Sequence, residues 1–155
     1  MIRVQREDFD VGLELDALAR DNHAIGGIAS FIGTVRDIAG DRSVSAMTLE
    51  HYPGMTEKQL AKVEAEACAR WPLEASLIIH RYGRLEPGDR IVLVAAASAH
   101  RQAALEACSF LIDWLKTKAP FWKLEEGDSG GTWVEARAED DAAAARWAAN
   151  AQTRK

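Results

Sequence analysis

Residues 75–98, ASLIIHRYGRLEPGDRIVLVAAAS, decide how this chain is built. Two apolar runs flank a turn. The first, Ala75 to Arg81, is rich in isoleucine and leucine; the second, Arg90 to Ser98, in valine and alanine. Each is short for a helix and reads as a buried strand. LEPGD at 85–89 supplies proline and glycine between them, so the two runs are expected to form a hairpin.

C-terminal to the hairpin, a long helix is expected from about His100 to Lys118, ending ahead of Pro120. Its polar stripe is Gln102, Glu106, Ser109, Asp113 and Lys116, and its apolar side Leu105, Cys108, Leu111, Ile112 and Leu115. Two short strands, near Phe121–Leu124 and Thr132–Ala136, flank the loop EEGDSGG. The tail from Ala138 is helix-prone, with acids first and bases last, in accord with the helix dipole, and is free to fray.

N-terminal to the hairpin, Thr56 and Gln59 read as a capping box for a helix ending near Trp71-Pro72. The turn Tyr52-Pro53-Gly54 precedes it, with Met55 expected beneath. A strand from Val44 to His51 and a polar loop from Asp37 to Ser43 come before that. IGGIASFIGTV reads as a strand of about ten residues whose glycines imply a bulge or a close backbone approach. Asp10 caps a first helix over 11–20, with Val11, Leu15 and Leu18 on one face. The order predicts an α+β fold, an antiparallel or mixed sheet covered by helices, with one domain over 1–137 and a tail over 138–155.

The length of 155 residues suits one core, and 48% hydrophobic with 28% charged residues is a globular composition. A net charge of -5 argues against nucleic-acid binding through bulk positive charge but leaves room for a local basic pocket. No signal-peptide pattern and no apolar run near the roughly 20 residues of a membrane span are read, so a cytoplasmic protein is expected. The four histidines show no HExxH spacing, and two distant cysteines make no metal pattern, so no metal is expected. No GxSxG, Walker or GxGxxG motif is present. Cys68 and Cys108 sit in alanine-rich stretches and read as small buried hydrophobes without an activating base.

The chemistry concentrates in LKTKAPFWK at 115–123, which brings Lys116, Lys118 and Lys123 beside aromatic surface. Amines against apolar walls bind anions or shed protons near neutral pH. Taken singly, Lys116 also reads as a solvated lysine paired with Asp113, and Lys123 as a lysine lying over Trp122. His100-Arg101 opens the long helix, where free N–H groups and a guanidinium suit a phosphate. Arg36 and Arg137 close strands, in FIGTVRD at 31–37 and VEAR at 134–137. LEHYPGM at 49–55 reads either as an acid/base site or as a direction-fixing turn. Together these segments suggest a pocket for a phosphorylated small molecule.

FIGTVRD, LEHYPGM, SAHR and LKTKAPFWK, in this order and through GGTWVEAR at 130–137, resemble the large, catalytic subunit family of molybdopterin synthase. LEHYPGM with KAPFWK is the specific combination. The resemblance implies an α/β-hammerhead-like fold and a homodimer. It also implies that each protomer binds a small ubiquitin-like sulfur-carrier subunit, making a heterotetramer. The carrier's C-terminal Gly-Gly thiocarboxylate would supply two sulfurs in turn to cyclic pyranopterin monophosphate, giving the molybdopterin dithiolene of the molybdenum cofactor. Lys116 and Lys123 carry over as catalytic lysines. Thr34, Val35, Arg36, His100 and Arg101 carry over as substrate-binding residues, with Leu124, Glu125 and Arg137 completing the set. His100 and Arg101 are expected to serve the neighbouring protomer's site. The chain itself is expected to need no cofactor, and the cysteines no sulfur-carrying role, because the partner brings the sulfur. The rival readings are a non-catalytic module docking a ubiquitin-like tail and a dimeric domain sensing a phosphorylated metabolite.

Overall fold

The computed structural model describes residues 1–128, 130–134 and 138–151, the last three through their backbone alone. The first sheet has the order β1 (Ile2–Gln5), β6 (Leu73–Arg81), β8 (Arg90–Ser98), β2 (Gly27–Thr34). β1 runs parallel to β6, and the other pairs are antiparallel. The second sheet is antiparallel, in the order β10 (Gly130–Val134), β9 (Phe121–Gly127), β5 (Ala46–His51), β7 (Gly83–Leu85). A small hairpin pairs β3 (Ile38–Ala39) with β4 (Arg42–Ser43). The helices are α1 (Val11–Ala19), α2 (Met55–Arg70), α3 (Arg101–Thr117) and α4 (Ala138–Ala151). The fold is α+β with one mixed and one antiparallel four-stranded sheet, within the α+β class that the sequence predicts.

Strand alternation builds two cores on the first sheet. Ile78, Val92, Val94 and Ala96 meet Leu60 and Val63 of α2 and Ala104, Ala107 and Leu111 of α3. Leu77, Ile79, Leu93 and Ala95 face the opposite way, onto Phe9 and the α1 residues Val11, Leu15 and Leu18. Both faces of β6 and β8 are covered, which is why their sequences read as unbroken apolar runs. Each buried Leu or Ile contributes about 1.5–3 kcal/mol of transfer free energy. Asp10 caps α1 as expected, accepting from the Leu13 N–H at 2.9 Å.

The link between β6 and β8 is more than a turn. Gly83–Leu85 leaves the first sheet and pairs with β5 in the second. Only Glu86–Asp89 turns tightly, with the Asp89 N–H donating to the Glu86 carbonyl at 2.9 Å. The end of β2 is fastened to this turn. The Val35 N–H donates to the Asp89 carbonyl at 2.9 Å, and the Gly88 N–H to the Val35 carbonyl at 2.8 Å. The loop expected over Asp37–Ser43 contains the β3–β4 hairpin, whose two-residue arms are too short to show a period. β1 also carries only two alternating apolar residues, Ile2 and Val4, and Ile2 pairs with Ile78, far away in sequence.

Four local expectations are corrected. The cap of α2 is Gly54, at φ 82, with the Glu57 carboxylate accepting from its N–H at 2.7 Å; Thr56 is fully buried and Gln59 has no capping role. Met55 is exposed instead of lying under the turn. On α3, Leu105 is 60% exposed, and the buried face is built largely of alanine, Ala103, Ala104 and Ala107, which lets the helix approach β2 and β8 closely. Cys108 is buried, whereas Cys68 is exposed. α4 is docked on α3, and its Trp147 lies edge-on to Trp71 and Phe110. No helix among the described residues is long and apolar enough to cross a membrane.

Candidate functional site

The site grows from the inner face of the second sheet. Directly opposed residues share a face, so Phe121, Lys123 and Glu125 of β9 stand with His51, Leu49 and Met47 of β5. Met47 and Leu49 form a small buried cluster with Val35 and Leu85. Val35 therefore brings the end of β2 to the strand face that carries Lys123. Arg36, the next residue, is exposed and lines an open concavity of about 710 Å³ with Asp37, Ile38, Gly40, Pro87 and Gly88.

Lys123 Nζ lies 3.0 Å from Glu125 Oε1, and the Glu125 side chain is only 9% exposed. The lysine thus points along its own strand face to a buried carboxylate. The expected contact over Trp122 does not form, because Trp122 faces outward with Glu50. Leu124 also faces outward, opposite Thr48 and Trp133.

The two most specific segments are joined by one hydroxyl. Thr56 Oγ1 accepts from the Tyr52 N–H at 3.1 Å and donates to the Pro120 carbonyl at 3.4 Å. The turn of LEHYPGM is thereby fixed to the turn that feeds β9. Beside it, the His80 ring stacks on Phe121 at 3.7 Å, and His51 lies 4.3 Å from the Tyr82 ring. Burial first, then the nearby His51, pulls the His80 imidazole down to about 4, against a bond to the Arg81 carbonyl that favours the charged form. His80 is therefore neutral at physiological pH. His51 and Phe121 lie in segments singled out from sequence, LEHYPGM and LKTKAPFWK, whereas His80 was missed; its signal was a histidine ending the apolar run of β6.

Lys116 is exposed near the end of α3, which leads into β9. The expected pairing with Asp113 is absent, because that carboxylate is bound by Arg146 and Trp147. Among the described residues, Arg36, Arg101 and Lys116 make no ion pair. Arg137 lies outside the described residues. Lys118 borders a different cavity, between α2, α3 and α4.

His100 and Arg101 stand apart from this group. Ser98 pairs with Gly27 at the start of β2, whereas Arg36 follows its end. Across eight residues of strand that is about 26 Å. Thr34 is exposed at the Arg36 end, beside the register shift that the glycines imply. At the other end, a Cβ on Gly26 would stand 2.1 Å from the Ala99 carbonyl oxygen, so only glycine admits the loop that carries His100. The chain therefore brings Val35 and Arg36 to the strand face of Lys123 and Glu125, carries Lys116 in the last turn of the helix leading into that strand, and presents His100 and Arg101 at the other end of β2. Burial pushes the Cys108 thiol up to about 11, which disfavours a thiolate.

Fold and site define an α+β domain in which Arg36 and the Lys123–Glu125 pair border a buried cluster between two sheets. Residues 4–118 match the model of the MoaE protein family. The chain belongs to the MoaE family. It is 58% identical over 146 residues to a molybdopterin synthase catalytic subunit from Pseudomonas aeruginosa, covering 94% of this chain and 97% of that one. The solved molybdopterin biosynthesis MoaE protein from Burkholderia ambifaria is 53% identical, with a TM-score of 0.82 over 96% of this chain and 97% of that chain. A structure from Helicobacter pylori, a protein–protein complex of subunits 1 and 2 of molybdopterin-converting factor, shares the fold at 20% identity and a TM-score of 0.72, over 88% of this chain and 91% of that one.

Proposed function

We propose that this chain is the catalytic subunit of a molybdopterin synthase and acts as a sulfurtransferase. It takes sulfur from the thiocarboxylated C-terminal Gly-Gly of a small ubiquitin-like carrier and delivers it to cyclic pyranopterin monophosphate, producing the dithiolene. The observation that supports this reading is that Val35, which precedes Arg36, joins Met47 and Leu49 in one buried cluster on the strand face that carries Lys123 and Glu125, while Lys116 lies in the last turn of the helix that leads into that strand. Both guests are anions, and cations such as Arg36 and Lys116, which make no ion pair among the described residues, suit them.

In this reading Arg36 holds the cyclic phosphate. Lys116 meets the carrier's terminal carbonyl, and its ammonium stabilises negative charge that develops as the sulfur is transferred. Lys123, oriented by Glu125, acts on the pterin oxygen that leaves and exchanges a proton with it. Cys68 and Cys108 take no part.

His100 and Arg101 complete the site from a second copy. β2 is an edge strand of the first sheet and exposes Ile28, Phe31 and Ile32. If two β2 edges met antiparallel across a twofold axis, the start of each would lie beside the end of the other. Arg101 of one protomer would then approach Arg36 of its mate, twice per dimer. With one carrier on each protomer, the assembly is a heterotetramer.

The test mixes this chain, a thiocarboxylated carrier and the cyclic pterin. Lys116→Ala and Lys123→Ala are each expected to abolish product while the protein stays folded by circular dichroism. Undiminished product from both variants would refute the assignment.

A further inference from the structure

Asp113 and Lys116 lie three residues apart on α3, the spacing at which a carboxylate and an ammonium meet on one helix face. The carboxylate is taken by α4 instead. Arg146 Nη2 donates to Asp113 Oδ2 at 2.8 Å, and Trp147 Nε1 donates to the same oxygen at 2.7 Å. The Asp113 side chain is 14% exposed, so its charge is largely enclosed with these two donors. α4 is held in place to make them. The Trp147 ring is buried against Trp71 and Phe110, its carbonyl accepts from Arg70 Nη1 at 3.0 Å, and Arg146 also donates to Ser109 Oγ at 2.6 Å. α4 lies outside residues 4–118, the part that matches the family model.

We propose that α4 is a positioning element for Lys116: Arg146 and Trp147 sequester the Asp113 carboxylate, so the Lys116 ammonium keeps no counter-ion among the described residues and stays available to an anionic guest. Freed from α4, Asp113 would turn to Lys116, compete with the guest's carboxylate or phosphate and add a repelling charge beside it. The inference rests on the reading of Lys116 as a site residue.

Steady-state kinetics on the full chain with thiocarboxylated carrier and cyclic pterin test it. In R146A/W147F the phenylalanine keeps a ring against Trp71 and Phe110 while both donors to Asp113 are gone. The KM for an anionic co-substrate is expected to rise roughly threefold to tenfold, with kcat little changed. Adding Asp113→Asn to this variant is expected to restore KM. A purely structural role for α4 predicts no such rescue, because the third substitution restores no contact. An unchanged KM, or a raised KM that Asp113→Asn leaves raised, overturns the proposal. If thermal melts show the double variant unfolded, R146A alone carries the same comparison. Lys116→Ala separates the two levels: full activity there removes the reading of the site, whereas an inactive Lys116→Ala beside an unimpaired R146A/W147F overturns only the role of α4.

Discussion

Lys123 and Glu125 project from the same face of β9 and pair at 3.0 Å, the carboxylate buried and the ammonium 35% exposed. The pair orients the lysine toward the cluster around Val35 and leaves it a path to solvent. Glu125→Gln is expected to lower stability by about 1–2 kcal/mol, less than for a fully enclosed pair because water screens the lysine. Product formation is expected to fall about tenfold as Lys123 loses its orientation. Urea unfolding and initial rates measure the two effects; a variant as active as the parent would show that Glu125 does not hold Lys123 in place.

His80 makes stability pH-dependent. Its folded value of about 4 lies below the unfolded 6.5, so the unfolded chain takes up the proton first as pH falls. Stability from this group is complete above pH 6.5 and is lost progressively down to pH 4, on the order of 3 kcal/mol in all. His80→Phe keeps a ring on Phe121 and is expected to flatten the stability curve across that window. Denaturant titrations at several pH values compare the slopes, and equal slopes would remove His80 as their source.

Thr56 ties the two diagnostic turns together through one buried hydroxyl. Thr56→Val keeps the shape but leaves the Tyr52 N–H and the Pro120 carbonyl without that partner. The expected cost is about 1–3 kcal/mol, which lowers Tm by roughly 2–4 °C per kcal/mol in a chain of this size. Calorimetry reads it directly; an unshifted Tm would mean that water replaces the hydroxyl at no cost.

Trp147 anchors α4. Trp147→Ala removes a buried ring and its bond to Asp113, and is expected to destabilise the fold by about 3–5 kcal/mol. Equilibrium unfolding monitored by far-UV circular dichroism checks this, and a loss below about 1 kcal/mol would mean that α4 contributes little to the core.

The cysteines are expected to be dispensable for sulfur transfer. Cys108 is buried with its thiol held protonated, and its Sγ donates to the Val94 carbonyl at 3.9 Å. Cys68→Ala/Cys108→Ala should keep its activity per folded molecule in the carrier assay. A folded, inactive double variant would restore a persulfide step.

Much of the fold was legible because its causes are local. The Asp10 cap, the apolar runs of β6 and β8 and the proline that ends α3 each act through neighbours a few residues away. β1 and the β3–β4 hairpin were hidden because short strands carry almost no period, and β7 because a glycine-led turn gives no sign of changing sheets. The alanine face of α3 was misread for a related reason. Hydrophobicity favours Leu105, whereas close approach to a sheet favours Ala103, Ala104 and Ala107.

The sequence by itself determined the family and the types of group available, because a run such as KAPFWK and the spacing of its charges survive without coordinates. Only the tertiary structure decided who pairs with whom. Lys116 and Asp113 are neighbours on a helix, yet Asp113 answers to α4; Arg36 and Arg101 both follow apolar strands, yet one sits at each end of β2. Pairing is a matter of register and burial, and both are settled by contacts between segments far apart along the chain.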